Sequence, residues 1–160
     1  MMINRLLLPI LAAAALMAAS CESLDYNPGN QMSDATFWKT EEHARQAAIG
    51  LYSAMKEPWC FGMEFTFEMC GDLADGTSPW ADVSRGSSFA SNSGGVQNHW
   101  QYLYELVHRC NTVIRHVPGM PVSPETIARV TGEARFLRAM AYFRMLQCWG
   151  GVPYYDETCD

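Results

Sequence analysis

The chain has 160 residues, 49% of them apolar and 18% charged, which excludes a disordered or low-complexity polypeptide and fits one domain. Seventeen acidic residues against 11 basic ones give a net charge of −6. That excludes the basic stripe a nucleic-acid binder needs to displace counterions, and there is no Gly-rich phosphate loop.

Residues 1–20 read as an export signal. One basic residue, Arg5, precedes an uncharged run from Leu6 to Ala19, shorter than the roughly 20 residues a spanning helix needs. Ala18, Ala19 and Ser20 lead directly into Cys21. This resembles a bacterial lipoprotein signal, in which the cysteine becomes the first mature residue and carries the lipid. Ala18 stands where that motif usually has leucine. The plainer alternative is a secretory signal followed by a chance cysteine.

Residues 21–39 then form a polar tether containing Pro28-Gly29. A first helix is expected over Thr40–Glu57, with Thr40 as N-cap and Glu41 and Glu42 in the first turn. Ala44, Ala47, Ala48, Leu51, Tyr52 and Met55 give it one apolar face, and Pro58 ends it. From Trp59 to Gln97 the periodicity disappears into a long irregular loop rich in Gly, Ser, Asp and aromatics.

A second helix is expected over Gln97–Val117. Tyr102, Leu103, Leu106, Val107, Cys110, Val113, Ile114 and Val117 share one side, with Asn111 at its edge. Pro118–Pro121 turns the chain. Ser123 and Pro124 then start a third helix that runs to Trp149. That helix carries two apolar stripes: Ala134, Leu137, Ala141, Met145 and Cys148, and nearly opposite, Phe136, Ala139, Phe143 and Leu146. Two stripes require neighbours on two sides, as in stacked helix pairs. With two other long helices available, the Phe136 stripe is expected to lack a cover.

Chemical motifs are sparse. No cysteines are spaced CxxC and no HExxH occurs, so no metal or cofactor is expected. His43, His99, His108 and His116 read as solvated surface histidines. Cys110 and Cys148 read as buried apolar residues, and a bridge between Cys60 and Cys70 stays open. Glu64, Glu68, Asp72, Asp75 and Asp82 could include a glycosidase pair, which needs carboxylates about 5–9.5 Å apart, or simply be solvated. Trp80 with Asp72 and Asp75 suits a sugar, whose CH face stacks on an aromatic ring while its hydroxyls meet carboxylates. The alternative for Trp80 is anchoring the loop to the helices.

Several stretches resemble, in order, the SusD/RagB family of nutrient-binding outer-membrane lipoproteins. They are Cys21, "LDYNP", "SDATFWKTEEHARQAAIGLYSAM", "WQYLYELVHRCNTVI" and "GEARFLRAMAYFRMLQCWGGVPYY". The resemblance implies an all-α fold of tetratricopeptide-like helix pairs over residues 40–160, here the incomplete N-terminal part of a larger helical fold. It implies no catalysis. It implies a glycan or nutrient binder, lipid-anchored at Cys21 on the cell outer membrane of a Bacteroidota cell and facing outward. It partners a SusC-type TonB-dependent transporter in polysaccharide utilisation. The alternatives are a lipid-anchored helical scaffold for protein partners and a lipid-anchored glycosidase. Gly150 and Gly151 are expected to end the third helix in backbone conformations costly for other residues, with Val152-Pro153 leading away from it in extended form.

Overall fold

A computed structural model describes residues 33–62, 68 and 94–159. The helices below belong to one unit, Asp34–Asp160. The signal and tether up to residue 32, Cys21, Cys70 and the loop residues Asp72, Asp75 and Trp80 lie outside the described residues.

Among the described residues the fold is all-α, with no strand. A short helix, α1 (Asp34–Phe37), is followed by α2 (Glu41–Met55), a π-helical turn (Pro58–Gly62), α3 (Gly94–His116), a 3₁₀ turn (Val117–Gly119) and α4 (Pro124–Trp149). Capping sets two of the starts. The Thr40 hydroxyl accepts from the His43 N–H at 3.2 Å, and the Ser123 hydroxyl accepts from the Thr126 N–H at 3.2 Å. Glu41 ties these two starts together, because its carboxylate accepts the Ser123 N–H at 2.7 Å. Hydrogen bonds from Thr126 and Ser123 hold the Glu41 carboxyl below the usual carboxylate range. Helix α3 begins at Gly94, three residues before the expected Gln97.

The core is the meeting of three apolar faces. Ala44, Ala48 and Leu51 of α2 are buried with Leu103, Leu106, Val107, Cys110, Val113 and Ile114 of α3. Val130, Ala134, Leu137, Ala141 and Met145 of α4 complete it, and α4 packs most extensively on α3. Tyr52, expected on the buried face of α2, sits at the margin of that face and is exposed. Cys148 is only half-buried.

The histidines depart from the solvated reading. His99 is buried at 2% exposure, with Nδ1 2.6 Å from the Trp59 carbonyl oxygen and its ring 5.6 Å from that of Trp149. A carbonyl only accepts, so Nδ1 carries the proton. His116 stacks on Trp38, with centroids 4.7 Å apart and planes 6° from parallel. His43 stacks on Phe37 at 5.1 Å. Only His108 of the four is fully exposed. In each departure an aromatic from another segment covers a ring that helical phase alone puts at the surface.

Helix α4 carries both stripes, and among the described residues only one is covered. Ala134, Leu137, Ala141 and Met145 are at 0–1% exposure, whereas Phe136, Phe143 and Leu146 are at 63%, 61% and 56%.

Candidate functional site

The described chain ends its first run at Gly62 and resumes its helices at Gly94. The end of that first run is fixed from both sides. Cys60 of the π-helical turn is buried, and Phe61 lies under the Arg144 guanidinium, 5.3 Å from ring centroid to carbon. The Trp59 carbonyl is held by His99, in the second turn of α3. The end of the first run is thus tied to the start of α3.

Beside this mount lies an open depression of about 550 Å³ lined by Gln97, Trp100, Gln101, Tyr104, Pro153 and Tyr155. Gln97, Trp100, Gln101 and Tyr104 recur at spacings of three and four, so one face of α3 presents two aromatic rings and two amides. The rings brace one another. Trp100 meets Tyr104 at 4.9 Å and Trp149 edge-on at 5.1 Å, and Tyr104 meets Tyr155 edge-on at 5.8 Å. Aromatic faces with adjacent amides can stack on a sugar ring and hydrogen-bond its hydroxyls.

Pro153 and Tyr155 reach this surface because the segment after α4 folds back. Gly150 takes φ 73°, a left-handed conformation that suits glycine, while its N–H still bonds the Leu146 carbonyl at 2.9 Å. Gly150 is the only described residue at positive φ, so Gly151 has no such requirement. Residues 152–156 have no regular secondary structure, and the chain after Val152-Pro153 does not lead away from the helices as expected. It lies along the seam between α3 and α4 as a strap.

Side chains of α3 and α4 hold the strap at residues 153, 155, 157 and 159. The Tyr104 hydroxyl donates to the Pro153 carbonyl at 2.7 Å, and Asn111 Nδ2 donates to the Tyr155 carbonyl at 3.1 Å. Arg115 donates to the carbonyls of Glu157 and Cys159, each at 2.9 Å. From α4, the Tyr142 hydroxyl both donates to the Tyr155 carbonyl and accepts the Tyr155 N–H. Arg138 donates to Asn111 Oδ1 at 2.7 Å and pairs with Glu157. Partners rise in number along α3 and fall along α4, so the strap runs parallel to one helix and antiparallel to the other.

Asn111 is buried and its amide spends both ends here, one on the strap and one on Arg138. The Arg138 hydrogen bond holds the Glu157 carboxyl below the usual carboxylate range. Burial pushes the phenols of Tyr104 and Tyr142 up, keeping them protonated as donors. A second, smaller depression of about 190 Å³ lies further along α3 and the strap, lined by Tyr104, His108, Asn111, Thr112, Arg115 and Tyr155 among others.

No cluster among the described residues could hold a metal ion. Cys60 and Cys110 are free thiols whose pKa values burial pushes up to about 12, so neither is a nucleophile at neutral pH. No described helix is long and apolar enough to cross a membrane. Asp72, Asp75 and Trp80, the expected sugar contacts, lie outside the described residues. Periodicity did not single out Gln97, Gln101, Asn111 and Arg138 for these roles. The available signal was a buried-edge asparagine and an arginine between two apolar stripes.

Comparison with known proteins converges on one family. A family model described as starch-binding, associating with outer membrane, matches residues 22–159. SusD-like protein P25 of Formosa agariphila is 27% identical over 152 residues, 86% of this chain and 29% of its own length. SusD-like protein P38 of the same organism is 31% identical over 143 residues, 87% of this chain and 28% of its own. A SusD-like protein of Bacteroides ovatus is 30% identical over 160 residues, 93% of this chain and 28% of its own. The chain therefore spans less than a third of the length of these relatives. No solved structure matches. With a match running from the residue after Cys21 through the strap, the chain belongs to the SusD-like family.

Proposed function

We propose that this chain is the N-terminal, helical part of a non-catalytic glycan-binding lipoprotein of the outer membrane. It works as the partner of a SusC-type TonB-dependent transporter in polysaccharide uptake. The observation that carries this reading is the family match over residues 22–159, described as starch-binding and associating with outer membrane. The physical reading agrees with it. The loop that bears Trp80, Asp72 and Asp75 departs and returns beside an aromatic surface flanked by amides. Sugar contacts come from Trp80 by stacking and from Asp72 and Asp75 by hydrogen bonding, with Trp100 and Tyr104 extending the platform.

Titration calorimetry with soluble starch and a panel of other polysaccharides tests this. The expected result is saturable binding of at least one glycan with no reducing ends released, and several-fold weaker binding by Trp80→Ala at unchanged helicity. Release of reducing ends would favour the glycosidase. Absence of affinity for every glycan, with transporter or other protein partners still captured, would favour the scaffold. Lipid anchoring at Cys21 is tested separately: Cys21→Ala leaves a soluble protein on membrane fractionation, and unchanged membrane retention contradicts it.

A further inference from the structure

The larger depression is built from two parts of the chain that hold each other. Gln97, Trp100, Gln101 and Tyr104 are fixed on α3, whereas Pro153 and Tyr155 arrive on the strap. Tyr104 serves both. Its ring is a wall of the depression, against Trp100 and Tyr155, and its hydroxyl holds the Pro153 carbonyl. A strap that lifts away removes two of the six lining residues and takes from Tyr104 a ring neighbour and a hydrogen-bond partner.

Little apolar burial holds the strap down. Every residue from Gly151 to Cys159 is half-buried or exposed, and of these only Val152 packs against the apolar core. The attachment is polar instead. Asn111 and Tyr142 grip Tyr155, and Arg115 and Arg138 grip Glu157. A segment with few buried apolar contacts opens more easily than the helices beneath it. Its polar fasteners therefore decide how often Pro153 and Tyr155 are in place. Asn111, Arg138 and Tyr142 do not line the depression themselves.

We infer that Asn111, Arg138 and Tyr142 are positioning residues for the glycan, acting through the strap, and that a glycan in the depression fastens the strap in return. This rests on the functional reading above and adds a coupling to it. The coupling runs both ways because it is one free energy. What loosens the strap weakens the glycan, and a glycan that requires the seated strap reduces its opening. Tyr155 is where the two meet, since its backbone is held by Asn111 and Tyr142 while its ring faces Tyr104 and the depression.

Calorimetry with soluble starch first, and otherwise with the tightest-bound glycan of the same panel, tests the forward direction. Tyr142→Phe is the most selective variant. It keeps the ring that meets Tyr154 at 5.0 Å and loses only the hydroxyl that bonds Tyr155 twice. It should weaken glycan binding several-fold at unchanged helicity, and Asn111→Ala should weaken it at least as much. In a Tyr155→Ala background, Tyr142→Phe should lose most of its effect, because the ring it positions is gone. A merely structural role has no such dependence. The reverse direction is read by cleavage after Glu157 with a glutamate-specific protease, followed as loss of residues 158–160. Glu157 does not line the depression, so a glycan there does not shield it directly. At a glycan concentration ten times Kd, cleavage should slow about tenfold, the factor by which a ligand of the seated state depopulates the open one. Unchanged affinity in Tyr142→Phe, an equal effect with and without the Tyr155 ring, or cleavage indifferent to glycan overturns the inference and leaves glycan binding standing. Absence of saturable binding by the unaltered chain overturns the functional reading, and this inference with it.

Discussion

The two faces of α4 share a backbone, an apolar character and a period, yet differ completely in surroundings. Leu137 and Met145 are enclosed by α2 and α3, while Phe136 and Phe143, one and two residues away, stand more than 60% exposed. Hydrophobic periodicity states which residues require cover. It does not state whether the cover comes from the same stretch of chain. Among the described residues the inner face finds its cover in α2 and α3, and the outer face finds none.

This contrast is broken most directly by truncation on each side. Leu137→Ala removes a fully buried side chain and leaves a cavity, so it should destabilise the chain by about 2–5 kcal/mol. Phe143→Ala on the outer face should change stability by only about 0.5 kcal/mol, despite removing a larger group. Denaturant midpoints for the pair check this, and comparable losses would mean that the outer face is already packed.

A smaller effect separates apolar packing from polar fastening. Asn111→Ala should cost about 1–3 kcal/mol, because it removes two hydrogen bonds, one of the two that the Tyr155 carbonyl accepts and one that Arg138 donates. Unlike Leu137→Ala, it should loosen the strap specifically. Faster proteolysis within residues 151–159, with helicity retained, is the expected signature. Uniform loss of structure would place Asn111 in the general core instead.

Glu157 should show a weaker, pH-dependent version of the same loosening. Its folded carboxyl lies below the usual range because of the Arg138 hydrogen bond. Its contribution is therefore fully present above the unfolded glutamate pKa, about 4.3, and is lost as pH falls through the lower folded value. Strap cleavage by an acid-active protease should accelerate across that window, and Glu157→Gln should flatten the response. The residual slope belongs to Asp156, whose carboxyl the Thr158 hydrogen bonds also hold low.

A further modest loss is expected at the caps. Ser123→Ala removes the hydroxyl that accepts the Thr126 N–H and should cost about 1 kcal/mol in the same denaturant titration. Thr40→Ala should match it, since its hydroxyl does the same for His43.

The helices were legible in the sequence because their signals are local. Thr40, Ser123-Pro124 and Gly150 mark ends, and spacings of three and four mark faces. The strap was not legible as a docked segment. Its bonds join residues far apart in the chain, such as Tyr104 to Pro153 and Asn111 to Tyr155, and no local propensity encodes them. His99 and His116 were misread for the same reason, since distant aromatics bury or cover them. The resemblance strings did contain the strap's anchors. "HRCN" holds Asn111 and "FLRA" holds Arg138, and the structure gives both a physical task in positioning the segment after Gly150. Of the sugar-binding expectation, the mount and the neighbouring aromatic surface are described, whereas Trp80, Asp72 and Asp75 are beyond the described residues.

The central claim is that α4 is apolar on two sides and covered on one. Binding of a hydrophobic dye to residues 21–160 tests it most directly, with Phe136→Asp/Phe143→Asp as the matched control. The account predicts a helical protein that binds the dye strongly, and loss of most of that binding in the double variant at unchanged helicity. A chain that melts in one sharp cooperative transition and binds no dye would contradict it, because the outer face would then already be covered.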